Sequence, residues 1–235
     1  WGAKWDEEVQ AEVAATRLAW AMGLGVEETY FVESGTIVFP GGRPSFQRLG
    51  SFIDKSGRFR SPARFERRGP ELVSKGFWPY GKNPLMAERG YAVLVLMNVV
   101  MGNWDAKDDN NKILSVTNDA GTTVWYMIGD YGACFGKMGG HFSHSKYVLN
   151  DFAKNPPVIT SVSGDTVHLG YKGQNEHFHA SVPLEGARLF SERAGQLSLK
   201  QVEDAFRAAH ASDSDLHGFA RAVYDRFQQV VTTVH

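Results

Sequence analysis

The sequence predicts an α+β chain of two lobes, the second mostly helical, and three observations carry that reading. Residues 8–22 put Val9, Val13 and Trp20 on one helical stripe, with acidic residues in the first turn and Gly23 as a stop, and residues 28–39 then alternate in a β-rich pattern up to the turn Pro40-Gly41-Gly42. Residues 112–117 and 122–128 form two strands joined by Asn118-Asp119-Ala120-Gly121, a hairpin. Two helices close the chain: Ser198 and Gln201 make a capping box ahead of a helix over 202–210, and a second helix covers 215–231. Asn83 as N-cap and Pro84 at the first helical position open a long helix that runs to Met101 and stops at Gly102. The aromatic connector from Phe77 to Gly81 marks the boundary, giving a partial first lobe of residues 1–80 and a second lobe of residues 81–235.

Composition narrows the function classes. With 43% hydrophobic and 22% charged residues over 235 positions, the chain has ample material for a core, and disorder is excluded. The 25 Lys and Arg nearly balance 26 Asp and Glu, for a net charge of −1, so no nucleic-acid partner is expected. Charge is segregated locally: residues 43–68 carry eight basic and two acidic side chains, whereas residues 1–33 carry seven acidic and two basic. A solvated edge hairpin facing an acidic helix accounts for this better than a nucleic-acid patch. The single Cys134 excludes an internal disulfide framework and any multi-thiolate zinc site. The apolar run of 11 residues from Tyr91 to Met101, broken only by Asn98, is too short to span a bilayer and reads as a buried helix. Cytoplasmic and exported locations are both compatible with this composition. The chain opens at Trp1 without an initiator Met, and reads as a mature or trimmed product.

Polar density peaks in Gly102-Asn103-Trp104-Asp105-Ala106-Lys107-Asp108-Asp109-Asn110-Asn111, between the apolar helix and the hairpin. A further acid, Asp130, follows the second strand in Gly129-Asp130-Tyr131-Gly132. Antiparallel strands return to their starting end, so Asn110 at the hairpin's entrance and Asp130 at its exit should be neighbours. Two carboxylates and a carboxamide on one spot, with a lysine between, form a hard-oxygen site suited to Mg²⁺ and phosphate.

Helix, D-x-K-x-x-N loop, two-stranded hairpin and D-Y-G, in that order, resemble the centre of the protein-kinase-like fold, with the motifs reading Asp105-Ala106-Lys107-Asp108-Asp109-Asn110 and Asp130-Tyr131-Gly132. The segment from Glu12 to Leu18, the Gly-rich stretch after it and Asn103-x-Asp105 resemble the HipA-like and related atypical bacterial kinases. The resemblance covers about residues 8–136. It implies an ATP- and Mg²⁺-dependent phosphotransferase acting on an unidentified hydroxyl of a protein or small molecule. Asp105 would accept or orient the attacking hydroxyl's proton, and Lys107 would steady the transferring phosphoryl group. Asn110 and Asp130 would hold Mg²⁺ on the nucleotide, and Glu12 would pair with the ATP-positioning lysine.

That fold's glycine-rich loop and lysine-bearing strand precede the glutamate-bearing helix, yet only eleven residues precede Glu12, so the first strands are expected to be missing. Lys4, in Trp1-Gly2-Ala3-Lys4-Trp5, is the substitute within the chain, in a stretch with little room for a strand. Asn103-Trp104 replaces the usual His-Arg before the catalytic aspartate. Asp108 and Asp109 read as a solvated acidic loop, and the five-residue step from Asp105 favours Asn110 over Asn111. Trp5, Trp20, Trp78, Trp104 and Trp125 read as core, with Trp78 a candidate cover for an adenine. His141, His144, His177 and His179 suggest a metal only weakly, and residues 137–146 read as a mobile loop. Two rivals to the kinase reading are a pseudokinase that binds a partner through residues 43–68 or the Gly139 loop, and a kinase-fold nucleotidyl transferase on the same metal site.

Overall fold

The computed structural model describes residues 1–42, 51–140 and 143–234. Part of the basic stretch over 43–68, and His141, therefore lie outside the described residues. Strand β1 (Gly2–Lys4) runs antiparallel to β5 (Ala63–Glu66), whose other edge takes β2 (Thr29–Val32). Three of the five residues around Lys4, Gly2–Lys4, thus do make a strand. Its three positions are stabilised by a ladder to residues some sixty positions away, Lys4 opposite Arg64, which no local pattern announces.

Helix α1 (Val9–Ala21) follows the expected stripe at Val9 and Val13, both buried, but Trp20 is 71% exposed and lines a surface cleft with Trp125. The strand expected over 28–39 is divided. β2 pairs with β5, whereas β3 (Gly35–Thr36) pairs with β4 (Arg58–Phe59), so the chain changes partner at Glu33 and Ser34. Ile53, Phe59 and Ala63 form a small core under this part, with Trp5 and Phe65 against it.

The hairpin of β7 (Asn111–Asn118) and β8 (Gly121–Ile128) closes on Asp119 and Ala120, and β6 (Leu72–Gly76) adds a third strand along β7. The helix expected from Pro84 to Met101 is two elements. A single 3₁₀ turn (Pro84–Ala87) is capped by Asn83, whose side chain accepts from the Leu85 amide at 3.0 Å; Glu88 is then extended, at φ −94° and ψ 138°, before α2 (Arg89–Met101) begins. Residues 92–101 of α2 are all buried, which explains an apolar sequence with no polar stripe. The Arg226 guanidinium finishes this helix by donating to the carbonyls of Val99 (2.8 Å) and Val100 (2.9 Å).

Beyond the hairpin come α3 (Leu149–Phe152), the strands β9 (Ile159–Ser163), β10 (Thr166–Leu169) and β11 (Ser181–Pro183) in the order β11-β10-β9, and the helices α4 (Leu184–Ala194), α5 (Leu199–Ala208) and α6 (Asp213–Thr233). The Ser198–Gln201 capping box is present in full. Phe135, Phe152, Phe206 and Phe219 pack ring to ring at the centre, and one buried cluster takes in α1, α2, α5 and α6. The small alanines of α1 let it lie close against α5, so the helix that carries Glu12 is fixed on the helical body.

Candidate active site

The polar loop begins where α2 stops at Gly102 and folds back on Asp105. The Lys107 ammonium lies 2.9 Å from Asp105 Oδ2, and Asn110 Nδ2 donates to the Asp105 carbonyl at 2.8 Å and to its Oδ2 at 3.2 Å. Asn111 points the other way, buried, with Nδ2 on the Trp78 carbonyl at 3.0 Å, so Asn110 is the asparagine that faces Asp105. Asp108 is no merely solvated acid: its Oδ1 accepts from the Tyr80 amide at 3.1 Å and from Asn175 Nδ2 at 3.0 Å.

The hairpin returns as its pairing requires. Asn111 sits opposite Ile128, and the Gly129 amide donates to the Asn110 carbonyl at 2.7 Å, which fixes Asp130 one residue from the loop's end. Asp130 Oδ1 accepts from the Gly132 amide at 2.9 Å, and its Oδ2 lies 4.0 Å from the Lys4 ammonium. β1 and the hairpin exit thus converge on one point.

Lys4 also bonds the Glu8 carboxylate, which in turn bonds Lys146. Glu8 lies flat against the Asp130-Tyr131-Gly132 turn; a Cβ at Gly132 would stand 2.7 Å from Glu8 Oε2, so only glycine permits this approach. Burial pulls the Lys4 ammonium down, but Asp130 and Glu8 outweigh it and hold the pKa above the usual lysine value. Burial likewise pushes Glu8 up, and its bonds to Lys146 and Lys4 reverse this, leaving a stable carboxylate.

The structure therefore corrects the expected partner of Glu12. Its side chain is buried, and Oε1 lies 3.0 Å from the Arg64 guanidinium; the glutamate that meets a lysine is Glu8, one helical turn earlier. Arg64 also reaches Glu66 at 3.5 Å, and Lys112, 4.0 Å from Glu66, bonds Glu27 at 2.6 Å and 2.7 Å. Burial pushes Glu12 up to about 8 against the pull of Arg64. A carboxyl that titrates higher folded than unfolded stabilises most below its unfolded pKa, and loses that contribution as pH rises through its folded one. Glu12→Gln, which keeps the shape and cannot titrate, is expected to flatten the fall in stability from about pH 5 to 8. Urea unfolding of both proteins across that range checks it; parallel curves would contradict the assignment.

The other candidates resolve simply. Trp78 is 1% exposed and donates from Nε1 to the Met127 carbonyl at 3.1 Å, so it is core with no face for a base. Trp125 is 39% exposed, and Trp104 donates to the Ser145 carbonyl at 3.0 Å and stacks on His144 at 3.6 Å. Residues 143–146 are accordingly tied down rather than loose: Ser145 bonds Asp151 at 2.8 Å, and Lys146 reaches Glu8. His177 and His179 belong to a 3₁₀ turn (Glu176–Phe178) and its end, and His179 is fully buried. Among the described residues no group of three His, Cys, Asp or Glu side chains could hold a metal ion. Burial drives the Cys134 thiol well above its usual range, which leaves no thiolate nucleophile. No helix among the described residues is long and apolar enough to cross a membrane.

A strand lysine beside a helix glutamate, an aspartate loop after a buried helix, and a second aspartate after a hairpin define a kinase-like fold. The chain is similar, over 99% of its length and 88% of the other chain, to the crystal structure of the Helicobacter pylori proinflammatory kinase CtkA, with a TM-score of 0.56 and 10% identity. At that identity the likeness speaks for the fold alone. No protein-family model matches the chain, and no curated protein does.

Proposed function

We propose that the chain is an ATP- and Mg²⁺-dependent phosphotransferase. The observation that carries this reading is the convergence of Lys4 and Asp130 Oδ2, 4.0 Å apart, at the end of the hairpin that begins beside Asn110 and Asp105. The kinase described for the structural neighbour supports it. The finer assignment, to the HipA-like atypical bacterial kinases with two lobes dividing near residue 80, rests on the motifs alone.

The donor set fits a magnesium nucleotide. Asp130 Oδ2 and the Asn110 carboxamide oxygen are hard ligands, and a site with two protein oxygens suits Mg²⁺, which keeps waters and phosphate oxygens in its shell. When bound, the ion would neutralise charge on the transferring phosphate. Lys4, bonded to Glu8, would supply positive charge to the nucleotide phosphates. Asp105, with Oδ2 fixed by Lys107 and Asn110, keeps a carboxylate where an acceptor hydroxyl can lose its proton, and Lys107 supplies charge beside it.

The test is product analysis after incubation with Mg²⁺-ATP labelled on the γ or the α phosphate. Label from the γ position alone in the product, with ADP released, is the expected result. Label from the α position supports the nucleotidyl-transferase rival, and turnover of neither supports the pseudokinase.

A further inference from the structure

Residues 171–179 cross under the Asp105 loop and bond it at successive positions. The Tyr171 hydroxyl donates to the Asn103 carbonyl at 2.8 Å, and the Gln174 amide to the Trp104 carbonyl at 2.8 Å. Asn175 Nδ2 donates to the Ala106 carbonyl at 3.2 Å and to Asp108 Oδ1 at 3.0 Å. The two segments touch so closely that a Cβ at Gly173 would stand 2.4 Å from the Trp104 carbonyl oxygen. Asn175 has a left-handed backbone, φ 52° and ψ 36°, which costs energy for any residue with a Cβ and least for asparagine.

Behind Asn175 lies a buried polar network. His179 Nδ1 donates to the Asn175 carbonyl at 3.1 Å, and its Nε2 accepts from Asn98 Nδ2 at 3.0 Å, one neutral tautomer serving both bonds. Asn98 Nδ2 also reaches the Tyr80 hydroxyl, and Asn98 Oδ1 accepts from Asn103 Nδ2, each at 3.0 Å. Asn98, Asn103 and His179 are all fully buried, and burial lowers the His179 pKa to about 4, which keeps the ring neutral at working pH. This explains the single polar residue in the apolar run of α2. Packing alone would favour an aliphatic side chain there, since a buried carboxamide is costly unless its bonds are met. What the network gains in return is a fixed direction for the residues on either side of Asp105.

We infer that Asn175 is a positioning residue: its carboxamide, carried on a backbone that His179 and, through it, Asn98 hold in place, sets the place of the Asp105–Asn110 loop relative to Asp130. The geometry stands by itself, and its kinetic consequence rests on the phosphotransferase reading. Misplacing a catalytic group by about 1 Å can cost on the order of 10²-fold in rate.

Asn175→Gly tests this, because glycine accepts the left-handed backbone and removes the side chain that carries the carboxamide. Hydrogen exchange read by mass spectrometry is expected to quicken in peptides covering 103–111 and Gly129, with α5 and α6 as protected as before. With Mg²⁺-ATP, kcat is expected to fall by about 10²-fold, and KM for ATP to rise by a much smaller factor, since Asn110 lies in the loosened loop whereas Lys4 and Asp130 lie outside it. A merely structural role would lower protection throughout and leave kcat per folded molecule unchanged; that result overturns the inference, as does unchanged exchange in 103–111. A loosened loop in a protein whose wild type turns over no ATP supports the positioning role and removes the phosphotransferase reading instead.

Discussion

Asp105→Asn is expected to slow phosphoryl transfer by about 10²- to 10⁴-fold, the range a positioned general base contributes, with nucleotide affinity little changed. The asparagine keeps the shape of the side chain and an oxygen for Lys107, which stands 2.9 Å from Oδ2 in the native loop. It cannot take a proton. Nucleotide affinity should survive because Lys4 and Asp130, on β1 and after β8, are untouched and meet each other rather than Asp105. Initial rates against ATP concentration separate the two quantities. A fall in kcat at constant KM is the expected pattern for an interaction made in the transition state. An unchanged rate would remove Asp105 from the chemistry.

Lys112→Met is expected to destabilise the fold by about 3 kcal/mol near pH 8, as removing one partner from a buried charge cluster does. Lys112 stands between Glu27 and Glu66, at 2.6 Å and 4.0 Å, and the two carboxylates lie in side chains only 10% and 4% exposed. Burial already holds the Glu27 pKa above the usual value against the pull of Lys112, with Glu66 adding to the rise. Without the lysine, that carboxyl rises further and takes up a proton at a higher pH, so the cost should shrink toward pH 5. Urea unfolding at the two pH values measures the difference. Glu66 keeps Arg64 at 3.5 Å and Arg68 at 3.1 Å, so Glu27 is the carboxylate left stranded. Equal loss at both would show that the methionine's packing, rather than the stranded Glu27, sets the cost.

The sequence made the β7–β8 hairpin and the Asp105 and Asp130 motifs legible because their information is local. Alternation, a turn tetrad and a fixed step from Asp105 to Asn110 sit within a few residues of one another. The same holds for the Ser198 cap. Strand β1 was hidden because three residues carry no period, and their pairing energy comes from Arg64 and its neighbours. β6 and β11 escaped for the same reason, each short and defined by a partner outside its own pattern, whereas β9 and β10 are a local hairpin across Gly164 and Asp165 whose strands of five and four residues went unread. Glu8, at the N-cap of α1, and Glu12 are four residues apart, about one helical turn, so spacing alone could not say which would meet a lysine. The difference is depth: Glu8, at the helix start, reaches Lys4 and Lys146, whereas Glu12 is sunk against Arg64. The positioning role of Asn175 left one sequence trace, the lone Asn98 in an apolar helix, whose meaning required the position of a histidine 81 residues away.

The most direct measurement is calorimetric titration of the protein with ATP, with and without Mg²⁺, beside Asp130→Ala. Binding that needs Mg²⁺ and is lost in the variant is the predicted result, because Asp130, 4.0 Å from the Lys4 ammonium, would hold the ion. Mg²⁺-dependent binding of equal strength in Asp130→Ala would contradict the site, and no binding by the wild type would contradict the nucleotide reading itself.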